Sequence, residues 1–159
     1  MTDGNRANRS GRVLENVVES IYKTHGYDIM AFSEYTKDAS QYMGRQLLLK
    51  HVPYTSIYGH AAVSEFVAVE PSGARIRIEC KWQQSSGSVD EKFPYVYLNA
   101  LEAMPEVRII ILIDGGGAKP NAVQWLKRVA KKGLYRTEAG KTISVMNMSE
   151  FVVWANSHL

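Results

Sequence analysis

Apolar residues at Val13, Leu14, Val17, Val18, Ile21 and Tyr22 recur at the spacing of one helix face, with Ser10 placed to cap the start and Gly26 to stop the end. This spacing predicts a first helix over 11–25. Residues 27–60 follow no single period: YDIMAF and RQLLLKHV each fit a short strand, and the stretch between them fits neither pattern. Two alternating runs, 63–69 and 75–81, flank Pro-Ser-Gly and read as a hairpin. A helix is expected from about Ser88 or Val89 to just before Pro105, tolerating or bending at Pro94. The run VRIIILID has the continuous apolar character of a strand covered on both faces. Three glycines then lead into a basic amphipathic helix over 120–132. A strand around KTISVM and a short helix around SEFVVWANS close the chain. Strand, helix and strand in succession imply a right-handed crossover and a parallel pair. With the antiparallel hairpin this makes a mixed sheet and an α/β (α+β) class. Residues 1–10 lack an apolar anchor and are expected to be disordered, leaving 11–159 as one domain.

Composition narrows the function classes. The chain has 159 residues and 45% hydrophobic content, enough for one sizeable core. Its longest apolar run is too short to cross a bilayer, and the polar start does not resemble a secretory leader, so a cytoplasmic protein with no membrane partner is expected. The single cysteine, Cys80, excludes an internal disulfide and a cysteine zinc cluster. A net charge of +3 permits a polyanionic partner without requiring one.

The hairpin carries the candidate chemistry. If Glu70 pairs with Ala74 across the turn, Val67 faces Arg77 and Glu65 faces Glu79, with Lys81 on the same side. Phe66, Ala68, Ile76, Ile78 and Cys80 then form a core surface on the other side. Like charges opposed on paired strands repel. Two arrangements would offset the repulsion: a divalent cation held by both carboxylates, or surface salt bridges to Arg77 and Lys81 at a solvated strand end. In the first case Lys81 stands where it could position or deprotonate an attacking water.

Other features admit two readings each. The stretch DGGGAKP is either an anion-cradling loop or a plain strand-to-helix connection, and without Gly-Lys-Ser/Thr it is not a nucleotide-hydrolysing phosphate loop. Lys127, Arg128, Lys131 and Lys132 form a basic helix surface suited to phosphates or simply to solvent. Arg45, Lys50 and His51 interleave with Tyr42, Tyr54 and Tyr58, a mixture suited to DNA stacking and phosphate contact or to a dimer interface.

The order of a helix carrying Glu15, an acidic strand, a turn, a strand ending IECK, then a helix and an apolar strand resembles the PD-(D/E)xK nuclease superfamily. The likeness runs from about Gly11 to Lys132, and is closest to small stand-alone members found in bacteriophage genomes. It implies a restriction-endonuclease-like core, a central mixed sheet flanked by helices. It also implies a Mg²⁺-dependent DNA endonuclease, with Mn²⁺ able to substitute, acting on duplex or branched DNA of the Holliday-junction type. By the same resemblance Glu65 is the first strand acid, and Glu79 and Lys81 are the E-x-K pair. The backbone carbonyl of Cys80 is a further metal ligand, Glu15 stands near the metal, and Gln83 orients phosphate or water. Family habit adds a homodimer. The chain departs from the pattern in having Ser64-Glu65 where Pro-Asp is usual, so Glu65 rests on hairpin register as well as on motif. Glu15, with Glu19, also fits the polar face of its helix. The rival reading is a non-catalytic DNA-binding or scaffold protein that retains the fold.

Overall fold

The computed structural model describes residues 3–84, 87, 89–135 and 140–159. Among them six strands form one mixed sheet: β1 (Asp28–Ala31), β2 (Leu47–Thr55), β3 (Ala61–Val69), β4 (Arg75–Trp82), β5 (Arg108–Asp114) and β6 (Thr142–Met146). Five helices accompany it: α1 (Asp3–Thr24), α2 (Phe32–Tyr35), α3 (Val89–Leu98), α4 (Pro120–Lys132) and α5 (Met148–His158). The strands lie in chain order across the sheet. Neighbours β2, β3 and β4 pair antiparallel, and the outer pairs β1 with β2, β4 with β5, and β5 with β6 are parallel. Five strands therefore point one way and β3 alone opposes them. Their carboxyl ends meet the start of β3 at one end of the sheet.

Strand alternation sorts the side chains onto two covered faces. Ile76, Ile78 and Cys80 of β4, with Ile110 and Leu112 of β5, pack under Leu14, Val18 and Tyr22 of α1 and Phe151 of α5. The odd-numbered residues Ile109, Ile111 and Ile113 face Phe93 and Tyr97 of α3 and Leu126 and Val129 of α4. Farther along that second face, Leu47, Leu49, Val52, Val67 and Val69 pack with Tyr35 and Tyr42. Of the two arrangements open to the charged side, the solvated strand end is not the one present: Arg77 and Glu79 are buried, and Lys81 is partly covered. Arg77 is 1% exposed. It meets that constraint with a forked ion pair to Glu106, and its Nη1 donates to the Val52 carbonyl at 3.2 Å and to Ser64 Oγ at 3.1 Å. The Tyr54 ring lies 5.4 Å from its guanidinium carbon.

Other differences have local causes. The first helix begins at Asp3, not near Gly11, so the polar segment expected to be disordered continues the helix. Extending a nucleated helix costs little per residue even without a buried face. The ambiguous region 27–60 resolves into β1 and β2, joined through α2 and a 3-10 turn over Ala39–Tyr42. The helix expected to reach Pro105 changes winding at its end, where Asn99–Ala103 forms a π-helical turn.

A buried arginine whose carboxylate partner is removed is left as an uncompensated charge. Glu106→Ala is expected to cost about 3–5 kcal/mol, read as a lowered urea midpoint for unfolding.

Candidate active site

The predicted hairpin register is present, with Glu70 N–H donating to the Ala74 carbonyl at 2.8 Å and Val67 paired with Arg77. The ladder stops at Phe66 and Ile78. Hydrogen-bonded pairs recur every second residue in an antiparallel ladder, so the next would join Ser64 and Cys80. Instead the Cys80 N–H donates to Glu65 Oε2 at 2.8 Å. A carboxylate thus stands in for a backbone carbonyl where the strands part. On the other flank of β3 the pairing also skips the residue opposite Glu65, which is His51. His51 has φ +56°, a left-handed conformation that non-glycine residues seldom adopt. The break in alternation turns Val52 onto the same side as Leu47 and Leu49.

Glu79 sits beside this gap, 5% exposed. Its Oε1 pairs with Lys81 Nζ at 2.5 Å, while Oε2 is buried with no hydrogen-bond partner. Burial, then the charge of Glu79, pushes the Glu65 carboxyl up to about 7 despite the opposing pull of Lys81 and the Cys80 N–H. For Lys81, burial works against the ammonium, but Glu79 and Glu65 outweigh it and hold the group above its ordinary value. Burial also raises the Cys80 thiol well above its usual range, with Glu65, Glu79 and, more weakly, Glu15 adding to the effect.

These residues fit a hard divalent cation. Two carboxylates repel each other in a poorly solvated gap, one oxygen lacks any partner, and the Cys80 backbone lies between them. No grouping of three or more His, Cys, Asp or Glu side chains occurs among the described residues. Those two side chains and a backbone carbonyl, with waters to complete the shell, are donors that a hard divalent cation could take.

The remaining predicted residues lie in different settings. Glu15, half-buried on α1, is near enough to act electrostatically on Cys80. Gln83 follows β4 directly; its N–H donates to the Asp114 carbonyl and its own carbonyl accepts from Gly117. That close passage explains the glycine at position 115. Gly115 has φ +106°, and a Cβ there would fall 2.3 Å from the Gln83 carbonyl oxygen. Lys50 is paired with Glu19 of α1 at 2.5 Å, and Arg45 with Asp28 at 2.5 Å. Lys127 is held by both oxygens of Glu150 on α5, at 2.8 and 2.9 Å. Arg128 and Lys131 are exposed, but α4 runs back along the sheet and carries them away from the carboxylates. His51 is exposed at the β2 break.

The model of the PD-(D/E)XK nuclease superfamily domain matches residues 6–159. The chain belongs to that superfamily. No curated protein matches the chain. In this PD-(D/E)XK domain Glu65, Glu79 and Lys81 come together where β3 and β4 part.

Three neighbours of the PD-(D/E)XK site escaped the sequence reading. Glu106, which neutralises Arg77, lies 29 residues away from it, and no local pattern links them. Tyr95 and Asn99 share a helix face, and an asparagine in the apolar run YVYLNA was the available signal.

The raised Glu65 carboxyl has a sign that can be checked. Above its unfolded value of 4.5 and up to about 7, the folded metal-free protein binds more protons than the unfolded chain, so stability falls as pH rises through that window. Glu65→Gln removes the repulsion and keeps an acceptor for Cys80 N–H. The variant is expected to exceed the wild type in stability at pH 8 by about 1–2 kcal/mol, with the advantage gone at pH 4.5, measured by urea unfolding in chelator.

Proposed function

We propose that this chain is a Mg²⁺-dependent deoxyribonuclease, an endonuclease that hydrolyses phosphodiesters in duplex or branched DNA, with Mn²⁺ able to replace Mg²⁺. The observation that carries the reading is Glu79, a buried carboxylate with one oxygen on Lys81 and the other without a partner beside a second acid. Glu65, Glu79 and the Cys80 carbonyl are the groups that would hold the ion. Bound there, it would supply Lewis-acid polarisation of the phosphate and lower the pKa of water.

The chain's own residues supply the rest. Lys81 is held charged by two carboxylates, so it acts by orienting water and by neutralising charge on the phosphate. The Cys80 N–H fixes one Glu65 oxygen, and the other would be the one to hold the ion. Gln83 and Glu15 flank the pair, one beyond β4 and the other on α1. No helix among the described residues is long and apolar enough to cross a membrane.

Purified protein incubated with plasmid, linear duplex and a four-way junction is expected to cut DNA with Mg²⁺ or Mn²⁺ and not with chelator. Lys81→Ala should lower the rate by roughly 10²–10³-fold while Mn²⁺ binding, followed by calorimetry, persists. Glu79→Gln should lose both. DNA binding without cleavage of any substrate would favour the scaffold reading, and an undiminished Lys81→Ala rate would remove the catalytic assignment.

A further inference from the structure

Next to the carboxylates the β2–β3 loop holds an aromatic surface that the reading above does not use. Tyr58 is 67% exposed and stacks on Tyr95 of α3, with ring centroids 5.0 Å apart and planes at 26°. An exposed tyrosine at a hairpin tip is ordinarily free to swing, but this one is not. Ser56 N–H donates to the His60 carbonyl at 2.9 Å, Gly59 N–H to the Ser56 carbonyl at 2.8 Å, and His60 N–H to Ser56 Oγ at 3.3 Å. Ile57 N–H donates to Asn99 Oδ1 at 2.9 Å, and Asn99 Nδ2 donates to the Tyr95 carbonyl at 2.9 Å. One amide, 1% exposed, therefore anchors both the loop that carries Tyr58 and the helix that carries Tyr95. The π-helical turn begins at that residue. His60 closes one side, its ring 6.3 Å from Tyr58 and inclined at 63°.

The platform lies at the end of the sheet that carries the acids, where β2 passes into β3. Tyr54, at the end of β2, lies over Arg77, two residues before Glu79 on β4. Its own ring is covered by Arg77, which leaves Tyr58 as the member whose face is open. A nucleobase can stack on such a face whatever its identity, but only if its own face is free, which is not so inside an intact duplex.

We propose that the Tyr58–Tyr95 stack is a docking platform for an unpaired nucleobase, so that the strand delivered to Glu65 and Glu79 is single-stranded DNA at an overhang, gap or branch. This rests on the nuclease reading and names the substrate class for the same site. Intact duplex is the poorer substrate because its bases must first be unstacked.

The test uses fluorescence anisotropy with one labelled strand presented alone, in a blunt duplex, and in a duplex with an overhang, Ca²⁺ replacing Mg²⁺ so that the strand stays whole. The wild type is expected to bind the single strand and the overhang roughly ten-fold more tightly than the blunt duplex. Tyr58→Ala should bring that ratio close to one, and Tyr58→Phe should keep it. Tyr58→Leu retains an apolar cover on Tyr95 without a π face and should behave like the alanine variant, with an unchanged thermal midpoint excluding loss of fold. Equal binding of all three DNAs by the wild type, or an undiminished preference in both the alanine and leucine variants, overturns the platform. A Tyr58-dependent preference with no cleavage under Mg²⁺ overturns the nuclease reading alone, and cleavage without the preference overturns the platform alone.

Discussion

A sheet covered on both faces leaves Arg77 and Glu79 of one strand almost no route to solvent, and the site follows from how that constraint is met. Arg77, Glu79 and Lys81 alternate along β4 toward the side buried by α3 and α4. A buried ion is tolerated when its partners are complete, and is costly when they are not. Arg77 is complete: Glu106 takes the charge, and Val52 and Ser64 take the remaining donors. Those last two contacts bind β2 and β3 together at the place where β3 leaves β4. Glu79 is not complete, and the deficit falls on one oxygen facing the gap.

The gap itself is made by local backbone exceptions. His51 in a left-handed conformation and the missing Ser64–Cys80 pair open the sheet over one residue on each flank of Glu65. The Cys80 N–H that loses its carbonyl finds a carboxylate, which keeps the polar group satisfied while fixing the acid. Around this opening the loops at the same end are tied down. Asp114 accepts from Gly115 and from Met148 at the start of α5, and Gly117 closes on the Gln83 carbonyl. Asn99 does the same for the β2–β3 loop. Repelling acids can persist here because packing elsewhere holds them, as is usual where local structure works against stability.

Much of the arrangement was legible along the chain. The Pro-Ser-Gly turn set the register from Val69 with Arg75 to Phe66 with Ile78, because a side-chain period of two admits no half steps. VRIIILID announced a strand with neighbours on both faces, and the amphipathic period of 120–132 marked α4 to the residue. The same reading left Lys50 and Lys127 open between phosphate contact and other roles, and each lies in an ion pair with an acid distant in sequence. The glycines after Asp114 looked like an anion cradle or a plain connection, and of them Gly115 is there because β4's exit passes too near for a side chain.

By itself, then, the sequence determined most of the elements outside 27–60, the hairpin pairing and the acid-x-lysine strand, since these depend on periodicity and turn chemistry within a few residues. Only the tertiary structure decided that the charged face is interior, that Arg77 answers to Glu106, that Glu65 serves Cys80, and that Tyr58 rests on Tyr95. Each of these joins residues from separate elements, and burial, which sets their energies, is a property of the packed layers and not of any one strand.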